Sequence, residues 1–219
     1  MQKKKSLQGR EKITISNVLT VLRITFIPYF IIFLFSNYKY GKLIALLVFI
    51  VASLTDLYDG ILARQRGEVT EFGKFMDPLA DKLLVLSAFF SFVQLDLVPF
   101  WMVLIIFSRE LIITTMRLGA AQKGTVIAAE QTGKHKTAWH IATIITILVI
   151  IAFQDYITRF ISIPWAQLFI STPGDAGEKF VAFVDSVPWV MTFICVLWSV
   201  YSGWDFFRRN KHILTEIGS

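Results

Sequence analysis

Two stretches of this sequence are long enough to cross a lipid bilayer as helices, and neither contains an Asp, Glu, Lys or Arg. They cover residues 137–154 and 186–204, which are 18 and 19 residues long. A helix needs roughly 18–20 apolar residues to span the hydrocarbon core. Hydrophobic residues make up 55% of the chain and charged residues 17%, whereas soluble domains have about 45–50% and about 25%. The composition therefore favours a polytopic membrane protein over a disordered chain or a water-soluble globule.

Four further apolar runs are shorter and reach spanning length only when the polar residues at their ends are included. They cover residues 24–38, 43–55, 83–95 and 97–108. We therefore predict an all-α integral membrane protein with six transmembrane helices and a short N-terminal amphipathic segment, folded as a single domain over residues 1–219. The predicted spans are residues 17–37, 42–61, 79–96, 98–118, 137–154 and 187–207.

The distribution of basic residues predicts the orientation of these spans. With the N-terminus in the cytoplasm, 18 of the 22 Lys and Arg residues fall on the cytoplasmic side, and the exceptions are Lys39, Lys42, Arg159 and Lys179. Such a bias is typical of cytoplasmic loops, so the net charge of +6 does not indicate nucleic-acid binding. We predict a basic, amphipathic cytoplasmic N-terminus (1–16), an extracytoplasmic loop (155–187) and a cytoplasmic tail (208–219), in the inner membrane of the cell. The single Cys195 excludes an internal disulfide.

Four aspartates are concentrated around the connection between the second and third spans. Asp56 and Asp59 are three residues apart, and Asp77 and Asp81 are four apart, so each pair shares one helix face. Carboxylates crowded at membrane depth repel one another. Divalent cations relieve that repulsion, and a set of hard oxygen ligands favours Mg²⁺, with Mn²⁺ or Ca²⁺ as competitors.

Helix capping is the alternative interpretation of these acids. Asp77 precedes Pro78, as an N-cap residue precedes a proline in the first turn. Capping does not explain Asp56 and Asp59, because they close an apolar run where the helix dipole disfavours negative charge. Arg64 lies between the two acid pairs, where it either holds an anionic group or neutralises carboxylates; the residues alone leave both readings open.

The acidic segment resembles the signature of the CDP-alcohol phosphotransferases, D-x2-D-G-x2-A-R-x8-G-x3-D-x3-D. All eight fixed positions are present at the required spacing: Asp56, Asp59, Gly60, Ala63, Arg64, Gly73, Asp77 and Asp81. The resemblance implies a six-helix protein, usually a homodimer, that transfers a phosphatidyl-type group from a CDP-linked lipid to an alcohol and releases CMP. It implies that the four aspartates hold two Mg²⁺ (or Mn²⁺) ions and that Asp81 is the general base. It also implies that Gly60, Ala63, Arg64 and Gly73 shape the CDP site.

A second, basic group of residues bears on the identity of the alcohol. Arg109 and Arg117 are eight residues apart, on one helix face, and Lys134 and Lys136 follow at the start of the fifth span. Such a site suits a phosphorylated acceptor, since Arg binds phosphate in a bidentate manner. The alternatives are that these residues anchor span ends, or that Arg109 forms a structural pair with Glu110.

The motifs R-E-x6-R and G-K-x-K-T around these bases are similar to those of bacterial-type phosphatidylglycerophosphate synthases, as are residues 16–23 and 201–204. The resemblance implies CDP-diacylglycerol and sn-glycerol 3-phosphate as substrates, in a lipid bilayer. Segment 155–187 is longer than that subfamily leads us to expect.

The nearest alternative function is an enzyme of the same family with another acceptor, such as inositol phosphate or phosphatidylglycerol. A membrane prenyltransferase and a metal or ion transporter are more distant ones. Neither His135 nor His140 has the partners of a zinc site.

Overall fold

The computed structural model describes residues 15–66, 71–122, 131–170 and 176–210, with side chains over 21–55, 82–117, 119–120, 136–170 and 176–210. Over these residues the chain forms six α-helices, one short 3-10 helix and no β-strand. The helices are α1 (Ile15–Phe35), α2 (Gly41–Arg66), α3 (Glu71–Gln94), α4 (Phe100–Gln122), α5 (Gln131–Ile161), the 3-10 helix (Trp165–Leu168) and α6 (Ala176–Arg209). Each predicted span falls largely within one α-helix.

The helices pack as a bundle around a shared apolar core. Helix α1 packs against α2 and α3, α2 also packs against α5, and α6 packs against α4 and α5. Aromatic rings supply much of the core volume, and Phe30 and Phe49 pack with their ring centroids 5.8 Å apart. In the absence of a hydrophobic driving force between helices in lipid, such close packing is a main source of helix association.

Helices α5 and α6 run antiparallel, and polar contacts mark their register. Near one end of the pair, Gln154 donates a hydrogen bond to Asp185 (Nε2–Oδ1, 3.2 Å). Further along, Thr143 Oγ1 lies 3.2 Å from Cys195 Sγ. Arg159 donates to the backbone carbonyl of Asn37 (3.0 Å), which places the α1–α2 and α5–α6 connections at the same end of the bundle. The sequence likewise predicts that these two connections lie on the same side of the bundle.

The outward surface of the bundle is strongly apolar. Trp204 is 71% exposed, Phe183 66% and Ile32 61%, and many other large apolar side chains are exposed around the described helices. Contiguous apolar surface of this kind is unusual on a soluble monomer and suits contact with lipid. Two described helical stretches, Lys136–Ile161 and Ala176–Arg209, are long and apolar enough to cross a membrane. Shorter apolar stretches cover Val21–Phe35, Gly41–Thr55 and Lys82–Gln94, so the count of six spans stays a prediction.

The segment 155–187, which the sequence predicts to be an extracytoplasmic loop, is largely helical, and its side of the membrane stays a prediction. Helix α5 continues to Ile161 and α6 begins at Ala176, with the 3-10 helix between them. Helix α6 therefore includes Pro188 in its interior, although the predicted span begins at residue 187. A proline in a helix interior removes one hydrogen bond and crowds the preceding turn, and α6 continues on both sides of Pro188.

The bounds of α3 exclude the alternative interpretation of Asp77 as an N-cap residue. Helix α3 begins at Glu71, so Asp77 lies in its second turn and not at its N-cap. Gly60 lies inside α2 and Gly73 inside α3. Both acid pairs therefore belong to regular helices, and the connection between these helices is short.

We expect the replacement of Phe49 by Ala to lower the free energy of unfolding by about 3 kcal/mol, because it leaves a cavity beside Phe30. Phe49 is 0% exposed, whereas its helix neighbour Leu47 is 53% exposed. Leu47→Ala is therefore the matched control and should change stability little. Reversible unfolding in detergent micelles measures both values. Equal losses for the two variants would contradict this description of the core.

Candidate active site

The four predicted metal ligands lie on two consecutive helices. Asp56 and Asp59 are in the C-terminal part of α2, and Asp77 and Asp81 are in the N-terminal part of α3. Asp56 is ten residues from the end of α2 and Asp81 ten residues from the start of α3, so each lies about 15 Å along its helix from the connection. Their side chains are outside the described residues, and coordination of metal by them stays a prediction.

The same applies to the predicted CDP-binding residues and to one of the acceptor residues. Gly60, Ala63 and Arg64 lie on α2, Gly73 on α3 and Lys134 on α5. Their side chains are outside the described residues. Among the residues that the structure describes, no group of three or more His, Cys, Asp or Glu side chains could hold a metal ion.

Three of the four predicted phosphate-binding residues are described, and two of them converge on one carboxylate. Glu110, in the middle of α4, accepts a hydrogen bond from Lys136 of α5 through Oε2. Its other oxygen, Oε1, lies 3.4 Å from Arg109 Nη1. The Lys136 side chain is only 3% exposed. The structural Arg109–Glu110 pair that the sequence left open is therefore present, as part of a larger ionic cluster.

Lys82 is the third cation at Glu110 and was not among the predicted site residues. Its Nζ lies 3.7 Å from Glu110 Oε1 and donates a hydrogen bond to Thr114 Oγ1. Lys82 directly follows Asp81 on α3. Glu110 thus connects α3, α4 and α5, and we call Lys82, Arg109, Glu110 and Lys136 the Glu110 cluster.

Helix α6 supports the cluster from the fourth side. Arg109 donates a hydrogen bond from Nη2 to Ser202 Oγ (2.7 Å). The next residue, Gly203, is buried, and a Cβ atom there would lie 3.4 Å from Arg109 Cγ. Two small residues therefore let α6 approach the Arg109 side chain closely. The Arg109 guanidinium is held at both of its terminal nitrogens, which fixes its plane.

Arg117 lies two turns further along α4 and contacts an aromatic ring. Its guanidinium carbon is 5.5 Å from the centroid of the Phe206 ring on α6, within the usual range of a cation–π interaction. This contact places Arg117 against α6. A residue that served only as a membrane-surface anchor would instead extend into the headgroup region.

A cavity of about 50 Å³ lies beside Glu110, between α3, α4 and α5. Its polar wall consists of Lys82, Glu110, Thr137 and His140, and its remaining wall is aliphatic.

His140, in the wall of this cavity, is buried, and its Nε2 has no hydrogen-bond partner among the residues described. Its ring packs edge-on against Phe89, with centroids 5.7 Å apart, as expected for a packing residue. A water needs roughly 10–15 Å³ of such volume, so the cavity has room for a few waters.

Two residues of the Glu110 cluster, Lys82 and Glu110, were not among the predicted site residues, although the sequence marks them as unusual. Lys82 and Glu110 are charges next to apolar runs, and such charges are costly unless they are paired or functional. Their partners were not evident, because Lys82 and Glu110 are 28 positions apart and Glu110 and Lys136 are 26 apart. Chemically, cations held in such a place pair with carboxylate or phosphate groups, and here Glu110 supplies the carboxylate.

Comparison with known proteins gives one family. Residues 13–172 match the family described as CDP-alcohol phosphatidyltransferase, a range that includes all four aspartates and the Glu110 cluster. A Bacillus subtilis protein named CDP-diacylglycerol–glycerol-3-phosphate 3-phosphatidyltransferase is 36% identical over 210 residues, covering 90% of this chain and 95% of the relative. A Mycobacterium tuberculosis protein named probable phosphatidylglycerophosphate synthase is 40% identical over 135 residues, 60% of this chain and 64% of its own. A Haemophilus influenzae relative with the first name is 37% identical over 131 residues, 58% of this chain and 70% of its own.

We expect Lys136→Met to lower the free energy of unfolding by about 3 kcal/mol, because removal of one partner leaves the other charge buried without compensation. Lys179→Met is the matched control, since Lys179 lies on α6 and is exposed. Thermal unfolding in detergent, without substrate, measures the difference. A loss for Lys136→Met no larger than for the control would mean that the Glu110–Lys136 pair does not stabilise the bundle.

Proposed function

Because the chain belongs to the CDP-alcohol phosphatidyltransferase family, we propose that it transfers the phosphatidyl group from CDP-diacylglycerol to sn-glycerol 3-phosphate. The products are phosphatidylglycerophosphate and CMP. The observation that carries the proposal is the 36% identity to the Bacillus subtilis 3-phosphatidyltransferase over 90% of this chain. The cationic Glu110 cluster supports it, because the acceptor in this reaction carries a phosphate group.

We assign the donor side of the site to α2 and α3. Asp56, Asp59, Asp77 and Asp81 offer only hard carboxylate oxygens, a donor set that fits two Mg²⁺ or Mn²⁺ ions. When bound, such ions polarise phosphoryl oxygens and stabilise the charge that develops on a leaving group. Gly60, Ala63, Arg64 and Gly73 lie on the same two helices and shape the site for the CDP group.

Asp81 is the proposed general base. Its carboxylate takes the proton from the C1 hydroxyl of glycerol 3-phosphate, and that oxygen attacks the phosphorus that bears diacylglycerol. The new P–O bond forms as the P–O bond to the CMP phosphate breaks, and CMP leaves with the electron pair. A general base must lie within hydrogen-bond reach of the proton that it takes, which the proposal requires of Asp81.

The acceptor phosphate binds to Arg109, Arg117, Lys134 and Lys136 in this proposal. Arg109 is suited to this role because its planar guanidinium is oriented by Glu110 and Ser202. Planar, preorganised guanidinium groups bind phosphate in a bidentate manner. An acceptor without a phosphate, such as serine, would offer these cations no anionic group to bind.

We also propose where the reaction takes place. Six spans with both termini in the cytoplasm put the acid pairs and the Glu110 cluster on the cytoplasmic half of the inner membrane. There the lipid tails of the donor stay in the bilayer while both polar substrates reach the site from the cytoplasm. We further propose that the protein is a homodimer, as family resemblance implies.

The reaction predicts CMP release from CDP-diacylglycerol by the detergent-purified protein with Mg²⁺, when glycerol 3-phosphate is added. Inositol phosphate, serine and phosphatidylglycerol, each tested separately, should give little release. Asp81→Asn should lower the rate at least about 100-fold, since a general base contributes 10²–10⁴-fold. Asp155→Asn is the control, because Asp155 pairs with Arg159 near the opposite end of α5. Release with a different acceptor only would disprove the proposed substrate, and no release with any acceptor would disprove the activity.

The proposed orientation predicts which positions a membrane-impermeant thiol reagent reaches. In a Cys195→Ser background, Asn37→Cys lies in the α1–α2 connection and Asn210→Cys directly follows α6. We expect intact cells of the expression host to be labelled at position 37 only, and permeabilised cells at both positions, because an odd number of crossings separates the two sides. Labelling of position 210 in intact cells would contradict the cytoplasmic placement of the C-terminus.

A further inference from the structure

A single carboxylate in the middle of α4 contacts cations from three helices. Lys82 belongs to α3, Arg109 to α4 and Lys136 to α5, and all three have a charged nitrogen within 4 Å of a Glu110 oxygen. Two of these cations, Arg109 and Lys136, are proposed acceptor-binding residues. Glu110 therefore lies where it controls the relative positions of the groups that bind the acceptor.

Flexible side chains need such control. Lysine has a four-carbon stem and a freely rotating ammonium group, and it binds phosphate as a point charge of variable position. Neighbouring residues on a helix point about 100° apart, and Arg109 Nη1 nevertheless lies 3.4 Å from Glu110 Oε1. The second bond, to Ser202 at 2.7 Å, then sets the guanidinium plane. Precise placement of binding groups before the substrate arrives lowers the cost of binding.

We propose that Glu110 is a positioning residue for the acceptor phosphate: its carboxylate holds Lys136, Arg109 and Lys82 in the arrangement that the phosphate of the acceptor recognises. This inference rests on the proposed function, because it concerns the acceptor side of that site. In this role Glu110 does not contact the reacting atoms. It acts through the cations and so determines the affinity for phosphorylated acceptors and the preference for them over neutral alcohols.

The contact with Glu110 uses only part of the hydrogen-bonding capacity of Lys136. An ammonium group has three N–H donors, and the bond to Glu110 uses one of those on Lys136. The Arg109 and Lys82 nitrogens lie 3.4 and 3.7 Å from Glu110 Oε1, longer than a strong charge-assisted hydrogen bond. The cavity adjoining Glu110 and Lys82 opens the same region to small polar groups. Glu110 thus orients these cations without enclosing them.

Glu110→Gln tests the role, because it keeps the size and one oxygen of the side chain and removes its charge. We expect the KM for glycerol 3-phosphate to rise at least about tenfold, as is typical when one member of a buried charge pair is neutralised. Because the variant leaves Lys136 buried without its partner, it should lose stability as Lys136→Met does, so KM is measured on the folded fraction. In that fraction the KM for CDP-diacylglycerol should stay within about twofold of wild type, whereas a purely structural ion pair would leave both KM values unchanged. Asp155→Asn, which breaks an ion pair elsewhere on α5, should change neither.

A second variant and a binding measurement test the role even if Glu110→Gln folds poorly. Glu110→Asp keeps the charge on a side chain that is one methylene shorter. The KM of this variant for the acceptor should therefore lie between those of wild type and Glu110→Gln. Independently of catalysis, inorganic phosphate should raise the melting temperature of wild-type protein without CDP-diacylglycerol, since a ligand that binds the folded state stabilises it. That shift should shrink in Glu110→Gln.

The outcomes separate this inference from the proposed function. If wild type uses glycerol 3-phosphate and Glu110→Gln leaves its KM unchanged or lowers it, Glu110 either plays no part or competes with the phosphate, and the inference is wrong while the function stands. If wild type prefers another phosphorylated acceptor and Glu110→Gln raises the KM for that one, the proposed substrate is wrong and the inference stands. Equal KM increases for donor and acceptor would also overturn the positioning role.

Discussion

The contact between Glu110 and Lys136 joins two helices at a place where neither charge could remain alone. Both side chains lie among apolar helices, and the lysine is almost fully buried. An isolated charge in such a place carries a desolvation cost that only a partner and further hydrogen bonds can offset. Lys82, Arg109, Thr114 and Ser202 supply those further contacts. The relative positions of α3, α4, α5 and α6 at this depth therefore depend on one ionic cluster.

Helix α3 joins this cluster to the acidic half of the site. Asp77 and Asp81 occupy its N-terminal part, and Lys82, the residue after Asp81, contacts Glu110. A shift of α3 would therefore move a proposed general base and an acceptor-side cation together. Asp81 and Lys82 are adjacent on one helix, so the distance between their backbones is set by covalent geometry. That distance varies less than a distance that depends on the packing between two helices. The core rings around Phe89 hold the described part of α3 in place.

The number and order of the helices were accessible from the sequence because a bilayer permits few alternatives. Apolar runs of spanning or nearly spanning length must become helices, since every backbone group in lipid needs a partner. The ends of the helices were less accessible. The sequence predicts a longer connection between the second and third spans and a loop over 155–187, because polar residues and prolines there interrupt the apolar pattern. Helices α2, α3, α5 and α6 extend beyond the apolar runs, since outside the hydrocarbon region a helix tolerates polar residues and forms the same hydrogen bonds.

The sequence by itself determined the chemistry that is available: the spacing of Asp56, Asp59, Asp77 and Asp81, the arginines at 109 and 117, the two lysines at 134 and 136, and the family to which they belong. Spacing along one helix is set by a fixed rise and turn, so pairs on one element can be read directly. The tertiary structure alone decided that Glu110 is the common partner of Lys82, Arg109 and Lys136, and that Ser202 supports Arg109. These residues come from four helices separated by up to 120 positions, and only the packing of those helices brings them into contact.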